Sequence, residues 1–88
     1  MRIEQIDTHP TFEKHYKRLS KRIKNAAKAK EIIFRENPHY SVLKTHKLHG
    51  QEKDVWSFSV IHAYRIKFIF IDAQSVLFLD IGTHDIYR

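Results

Sequence analysis

Cysteine is absent from this chain, and glycine and proline occur only twice each in 88 residues. The lack of cysteine excludes disulfides, a thiolate nucleophile and zinc sites with cysteine ligands, and it is typical of proteins of the reducing cytoplasm. With 42% hydrophobic residues and so little glycine and proline, the chain has no disordered or low-complexity composition. We therefore predict a single folded domain over residues 1–88.

Long apolar runs are missing as well. No stretch of about 18 apolar residues, the length that crosses a bilayer, occurs in the chain. The first residues, Met1-Arg2-Ile3-Glu4, carry charges where a signal peptide has its apolar centre. We expect a cytoplasmic protein that does not enter a membrane.

Acidic residues are scarce in the front half of the chain. Residues 11–35 contain nine Lys or Arg and two Glu, whereas residues 54–87 contain two Lys or Arg and four Asp. A basic surface of this kind attracts polyanions, so nucleic acid or an acidic protein is the expected partner. A charged helix face that only keeps the protein in solution is the alternative.

The back half of the chain has the composition of a β-sheet. Runs rich in β-branched and aromatic residues predict strands at Val55–Ile61, Tyr64–Ile71 and Val76–Ile81. The joints between them are too short for a parallel crossover, so these strands are expected to be antiparallel. A short edge strand is predicted at Arg2–Asp7.

The middle strand separates charged from apolar side chains. Alternation places two cations, Arg65 and Lys67, on one face together with Ile69 and Ile71, and it places the other four residues on the opposite face: Tyr64, Ile66, Phe68 and Phe70. Because a sheet covers its apolar face with helices, the face of Arg65 and Lys67 is the predicted working surface.

Two helices are predicted between the edge strand and the sheet. Thr8 is a possible N-cap for a first helix that ends near Leu19, and Ser20 can cap a second from Lys21 to Asn37. One apolar stripe runs along both, formed by Phe12, Tyr16, Leu19, Ile23 and Ala26. A single long helix is the alternative. The predicted fold class is α+β, ordered β-α-α-β-β-β, with a helical hairpin on one face of a twisted antiparallel sheet.

Several histidines could carry proton transfer. His46 and His49 lie in the polar connection 39–50, and His84 follows the last strand. Two histidines beside a cation could remove and donate protons while a phosphodiester of RNA is cleaved by its own 2′-hydroxyl. Arg65 would stabilise the charge on the phosphoryl oxygens, with Lys67 as a further cation.

Two other interpretations use the same part of the chain. A metal site of His46, His49, His84 and Asp85 lacks any recognised ligand spacing, so no metal and no cofactor are predicted. Trp56 and Phe58 could stack on bases, but strand aromatics of this kind are more often buried.

Three short segments resemble the RelE/ParE superfamily of bacterial and archaeal toxins. They are Lys47-Leu48-His49-Gly50, Tyr64-Arg65-Ile66-Lys67-Phe68 and the terminal Ile81-Gly82-Thr83-His84-Asp85-Ile86-Tyr87. Each is short, so the resemblance rests on their order and spacing, and it covers nearly the whole chain.

The resemblance implies the toxin of a type II toxin–antitoxin system that cleaves mRNA on the ribosome, with a cognate antitoxin as its partner in a hetero-oligomer. By likeness to RelE-like ribonucleases and their YafQ-like branch, the catalytic residues would be His46, Arg65 and His84. The expected RNA-binding residues are Lys44, Lys47, His49, Lys67 and Tyr87.

The chain also departs from the YafQ-like pattern. Val60 and Tyr64 stand where that branch has a histidine and an aspartate, and Asp80 stands where it has an arginine. A ParE-like inhibitor of DNA gyrase, or an inactive relative that only binds an antitoxin, is therefore kept as an alternative function.

Overall fold

The computed structural model describes residues 2–50 and 54–83. Its elements in chain order are β1 Gln5–Thr8, α1 Pro10–Lys17, α2 Lys21–Glu36, a 3-10 turn Ser41–Leu43, β2 His46–Lys47, β3 Trp56–Ser59, β4 Arg65–Asp72 and β5 Ser75–Gly82. The predicted α+β class is confirmed, with two helices against a five-stranded sheet. Within this part of the chain, no helix is both long and apolar enough to cross a bilayer.

The helical hairpin is confirmed, and the single long helix is wrong. The break falls between Lys17 and Lys21, where Ser20 adopts an extended conformation and its hydroxyl accepts from the Ile23 N–H at 3.3 Å. The cap of α1 is His9 rather than Thr8, because β1 extends through Thr8 and Pro10 occupies the first turn. The Nδ1 atom of His9 accepts from the Thr11 N–H at 3.1 Å.

The sheet order is β1-β5-β4-β3-β2. The strands β3, β4 and β5 form the predicted antiparallel meander. Two features differ from the prediction: β1 runs parallel to β5, and the dipeptide β2 adds a fifth strand at the other edge. The sheet is thus mixed, since β1 and β5 are far apart in sequence and no short turn requires them to be antiparallel.

Phenylalanines form the centre of the core. Phe34 of α2 is fully buried, and its ring centroid lies 4.6 Å from that of Phe58, 5.1 Å from Phe68 and 5.6 Å from Phe78. Because these three partners come from β3, β4 and β5, one helix residue joins three strands. Phe58 is therefore a core residue, and Trp56 packs beside it as a partly buried one.

An irregularity in β5 decides which of its side chains face the core. Phe68 pairs with Phe78 but Lys67 pairs with Asp80, so Leu79 is one residue in excess. Strict alternation from Phe78 would turn Asp80 into the phenylalanine core. The extra residue buries Ile81 instead and leaves Asp80 opposite Lys67.

Candidate functional site

Four residues on four neighbouring strands lie side by side across the sheet. His46 pairs with Ser57, Ser57 with Lys67, and Lys67 with Asp80. Directly opposed residues of antiparallel strands point to the same face, and Lys67 alternates with the buried Ile66 and Phe68. These four residues, here called the cross-strand row, therefore lie on the face of the sheet opposite the phenylalanine core, which is called the open face. Ser57 within the row is fully buried, and Asp80 at its end is reached by α1.

Arg65 belongs to the next row on the open face. It pairs with Ser59 and Gly82, two residues along β4 from Lys67, a spacing of about 7 Å. Its Nη1 atom donates to the carbonyl oxygens of His62 and Tyr64, both at 3.3 Å. Its Nε and Nη2 atoms have no hydrogen-bond partner within residues 2–50 and 54–83. The guanidinium is thus held at one end by backbone carbonyls.

The ring of His46 is oriented by its own loop. Its Nδ1 atom lies 2.9 Å from the Lys44 carbonyl oxygen, which can only accept, so Nδ1 carries a proton. In the neutral ring, Nε2 then keeps its lone pair and can take up a proton. Lys44 itself has a φ of 51°, and this left-handed residue turns the chain into β2.

The remaining predicted site residues that the structure describes belong neither to the cross-strand row nor to the row of Arg65. Lys47 pairs with Trp56 and so points to the helix side of the sheet, where its Nζ lies 3.3 Å from Asp54 Oδ1. Lys44 and His49 are exposed. His84 and Tyr87 lie outside the described residues. The described ranges contain no group of three His, Asp or Glu residues placed to hold a metal ion, and Asp85 of the metal alternative also lies outside them.

The structure adds a histidine that sequence reasoning missed. His15 of α1 places Nδ1 2.6 Å from Asp80 Oδ1, which connects this helix to the end of the cross-strand row. A cleft of about 240 Å³ opens beside this pair, lined by His9, Thr11, Lys67, Leu79 and Asp80. The sequence held one signal for this site, which is Asp80 itself. It is the one charged residue within the otherwise apolar run 76–81.

A second concave surface lies between the helices and the sheet. This groove of about 420 Å³ is lined by Phe12, Tyr16, Ala27, Lys28, Glu31, Ile66 and Phe78. Burial raises the pKa of the Tyr16 hydroxyl, and the Glu31 carboxylate raises it further. Tyr16 is therefore a neutral hydrogen-bond donor at the edge of an apolar groove.

Sequence comparison finds no match, but structure comparison finds proteins with the same fold. No protein-family model matches the chain, and no curated protein matches it. A chain of the E. coli DinJ-YafQ toxin-antitoxin complex superposes with a TM-score of 0.75 at 21% identity, over 98% of this chain and 97% of that one. The YoeB/ParE toxin from Agrobacterium tumefaciens gives a TM-score of 0.78 at 14% identity, over 92% of this chain and 99% of that one.

A chain of the archaeal RelE-RelB complex from Pyrococcus horikoshii OT3 gives 0.73 at 16% identity, over 94% of this chain and 96% of that one. This chain has the RelE/ParE toxin fold. The resemblance predicted from three short segments is thus confirmed for the fold. Function has to be argued from this chain's own residues, because one fold hosts several activities.

Proposed function

We propose that this chain is the toxin of a type II toxin–antitoxin pair and that it cleaves mRNA on the ribosome. The observation that carries the proposal is the open face of the RelE/ParE fold, where His46 and Lys67 lie in one row and Arg65 in the next. A proton acceptor and two cations within a few strand spacings of each other suit the cleavage of a phosphodiester.

The proposed reaction uses the RNA's own nucleophile. Once its proton is removed, the 2′-oxygen attacks the adjacent phosphorus, and the 5′-oxygen leaves with a proton, which gives a 2′,3′-cyclic phosphate and a 5′-hydroxyl. His46 and His84 would serve the two proton transfers, and Arg65 and Lys67 would stabilise the negative charge that builds up on the phosphoryl oxygens. The carbonyls of His62 and Tyr64 hold the Arg65 side chain in advance, so less ordering is needed when the RNA binds.

The remaining predicted RNA-binding residues are Lys44, Lys47, His49 and Tyr87. Lys44 and His49 are exposed on either side of β2, and Tyr87 follows β5 in sequence. Lys47 is placed less favourably, because it points to the helix side and pairs with Asp54. Lys44, His49 and Tyr87 are therefore proposed to bind the RNA or the ribosome around the row.

The test is cleavage by the purified protein on ribosomes programmed with a defined mRNA. We expect a cut in the ribosomal A site and slower cleavage of the same mRNA without ribosomes. In cells, expression should stop translation rapidly. If expression instead causes filamentation and DNA-damage signalling while mRNA stays intact, the ParE-like inhibition of DNA gyrase is the correct function.

The proposed partner is a cognate antitoxin with an acidic, partly apolar segment. Chains with this fold occur in complexes with DinJ and with RelB. In this chain the helices carry the excess of Lys and Arg, and the groove between the helices and the sheet is lined by apolar side chains that include the partly exposed Tyr16. Charge complementarity with an acidic segment and burial of its apolar side chains would both contribute to binding.

Co-purification tests the partner. We expect the product of the reading frame next to this gene to co-purify with the chain and to suppress its toxicity in cells. The complex should weaken when salt is raised, because part of the attraction is between exposed charges. A neighbouring frame that encodes no small protein, together with a chain that purifies alone, would contradict the proposed partner.

A further inference from the structure

We propose that His15 is a proton-transfer residue of the open face and that Asp80 positions it. This inference rests on the proposed RNA cleavage and adds to it a residue from α1. Its basis is the 2.6 Å contact between His15 Nδ1 and Asp80 Oδ1, together with the position of Asp80 in the cross-strand row. This role would explain why position 80 is an aspartate here, although the YafQ-like branch has an arginine at that place.

The Asp80 carboxylate is well placed to orient a histidine. Its side chain is 17% exposed, and Oδ1 also accepts from the Ile81 N–H at 2.8 Å, which fixes the carboxylate. Because an ionised carboxylate only accepts, the neutral His15 ring must carry its proton on Nδ1. Nε2 then keeps a lone pair, which is the arrangement by which an aspartate prepares a histidine to act as a base.

The accessible part of His15 is available to a substrate. The side chain is 41% exposed, and Nε2 has no hydrogen-bond partner among residues 2–50 and 54–83. The contact is also not needed to attach α1 to the sheet. Phe12 already packs against Phe78 with 5.5 Å between ring centroids, and the His9 N–H donates to the Phe78 carbonyl at 2.9 Å.

The His15–Asp80 pair and His46 lie at opposite ends of the cross-strand row. His46 lies at the β2 end of the row and the His15–Asp80 pair at the β5 end, three strand spacings or about 14 Å apart between backbones. Lys67 lies between them and also lines the cleft beside Asp80. A phosphate bound near Lys67 and Arg65 would have a histidine on each side.

The bonds and protons of the proposed RNA cleavage can be followed through these residues. Nε2 of neutral His15 takes the 2′-hydroxyl proton, the bond from the 2′-oxygen to phosphorus forms, and the bond from phosphorus to the 5′-oxygen breaks. His46 or His84, as an imidazolium, donates a proton to the departing 5′-oxygen, so that His15 takes over only the role of the base from this pair. In-line attack requires the two groups on opposite sides of the phosphorus, and the two ends of the row supply that arrangement.

The experiment measures single-turnover cleavage of mRNA on programmed ribosomes by purified variants. We expect His15→Ala to lower the cleavage rate by about a hundredfold, since general base catalysis contributes at least that much. Asp80→Asn should have an effect of similar size, because its amide can donate to Nδ1 and so move the ring proton to Nε2. The double variant should be no slower than either single one, because the two residues act as one unit.

Two further measurements distinguish proton transfer by His15 from a purely structural role. Imidazole in the buffer should restore part of the rate of His15→Ala, and the melting temperature of each variant should stay near that of the wild type. The matched control is His39→Ala, because His39 packs against Trp56 and Phe70 on the helix side of the sheet. It should cleave at the wild-type rate.

The outcomes distinguish this inference from the function on which it rests. Wild-type cleavage by His15→Ala, together with an inactive Arg65→Ala, would overturn the role of His15 and leave the ribonuclease proposal intact. A slower His15→Ala that melts at lower temperature and does not respond to imidazole would make the pair a structural contact, which also overturns it. Absence of cleavage by the wild type would refute the proposed function itself.

Discussion

Replacing Arg65 with alanine is expected to lower mRNA cleavage on the ribosome by about a hundredfold or more. Its guanidinium is held in position by two backbone carbonyls, those of His62 and Tyr64. Removing it takes away a charge that is already in place when the phosphoryl oxygens become more negative. Arg65→Lys should also lose most activity, because an ammonium cannot reproduce the planar grip on a phosphate.

The fold should survive this change, since Arg65 is only partly buried at the start of β4 and its truncation opens no large cavity. Melting temperature and antitoxin binding should therefore match the wild type. Arg2→Ala is the control for loss of one positive charge, because Arg2 is exposed and contacts only Glu4, at 4.0 Å. Cleavage by Arg65→Ala at the wild-type rate would show that the open face is not the active site.

Alanine substitutions of the two predicted catalytic histidines should also slow mRNA cleavage on the ribosome. His84→Ala is expected to lose activity as severely as Arg65→Ala, on the strength of the resemblance. His46→Ala is expected to show a smaller defect if His49, three residues further along, replaces it.

Replacing Phe34 with alanine is expected to lower the free energy of unfolding by about 3–5 kcal/mol. The Phe34 ring is fully buried and contacts Phe58, Phe68 and Phe78. The change therefore removes apolar burial and leaves a cavity where one helix meets three strands. A domain of this size has a total stability of roughly 5–15 kcal/mol, so the loss is a large share of it.

Thermal or urea unfolding measures this effect, and the melting temperature should fall by at least about 12 °C. Ile32→Ala on the same helix is the matched control, because Ile32 is 66% exposed. It should change the stability by no more than about 0.5 kcal/mol. Equal effects of the two substitutions would mean that α2 does not pack on the sheet through Phe34.

The sequence by itself determined the class of the fold and one face of its site. β-branched and aromatic runs set the three strands of the meander to within one or two residues at each end. Ser20 marked the break between the helices. Alternation along β4 placed Arg65 and Lys67 together on the face away from the core, since the period of a strand is a local property of the backbone.

Pairing between distant segments was decided only by the tertiary structure. No local signal separates a parallel edge strand from an antiparallel one, so the partner of β1 was not predicted. The dipeptide His46–Lys47 becomes a strand only because β3 lies beside it. That pairing directs His46 to the open face and Lys47 to the helix side, although the two are neighbours in sequence.

Asp80 is the clearest example of a residue whose position the sequence alone did not predict. Its place opposite Lys67 depends on one extra residue, Leu79, and strict alternation would have turned it toward the phenylalanine core. Its contact with His15 joins residues 65 positions apart. A sequence pattern reports the periodicity of one segment, whereas a bulge and a contact between elements depend on how separate segments pack. For that reason the His15–Asp80 pair was found only in the folded chain.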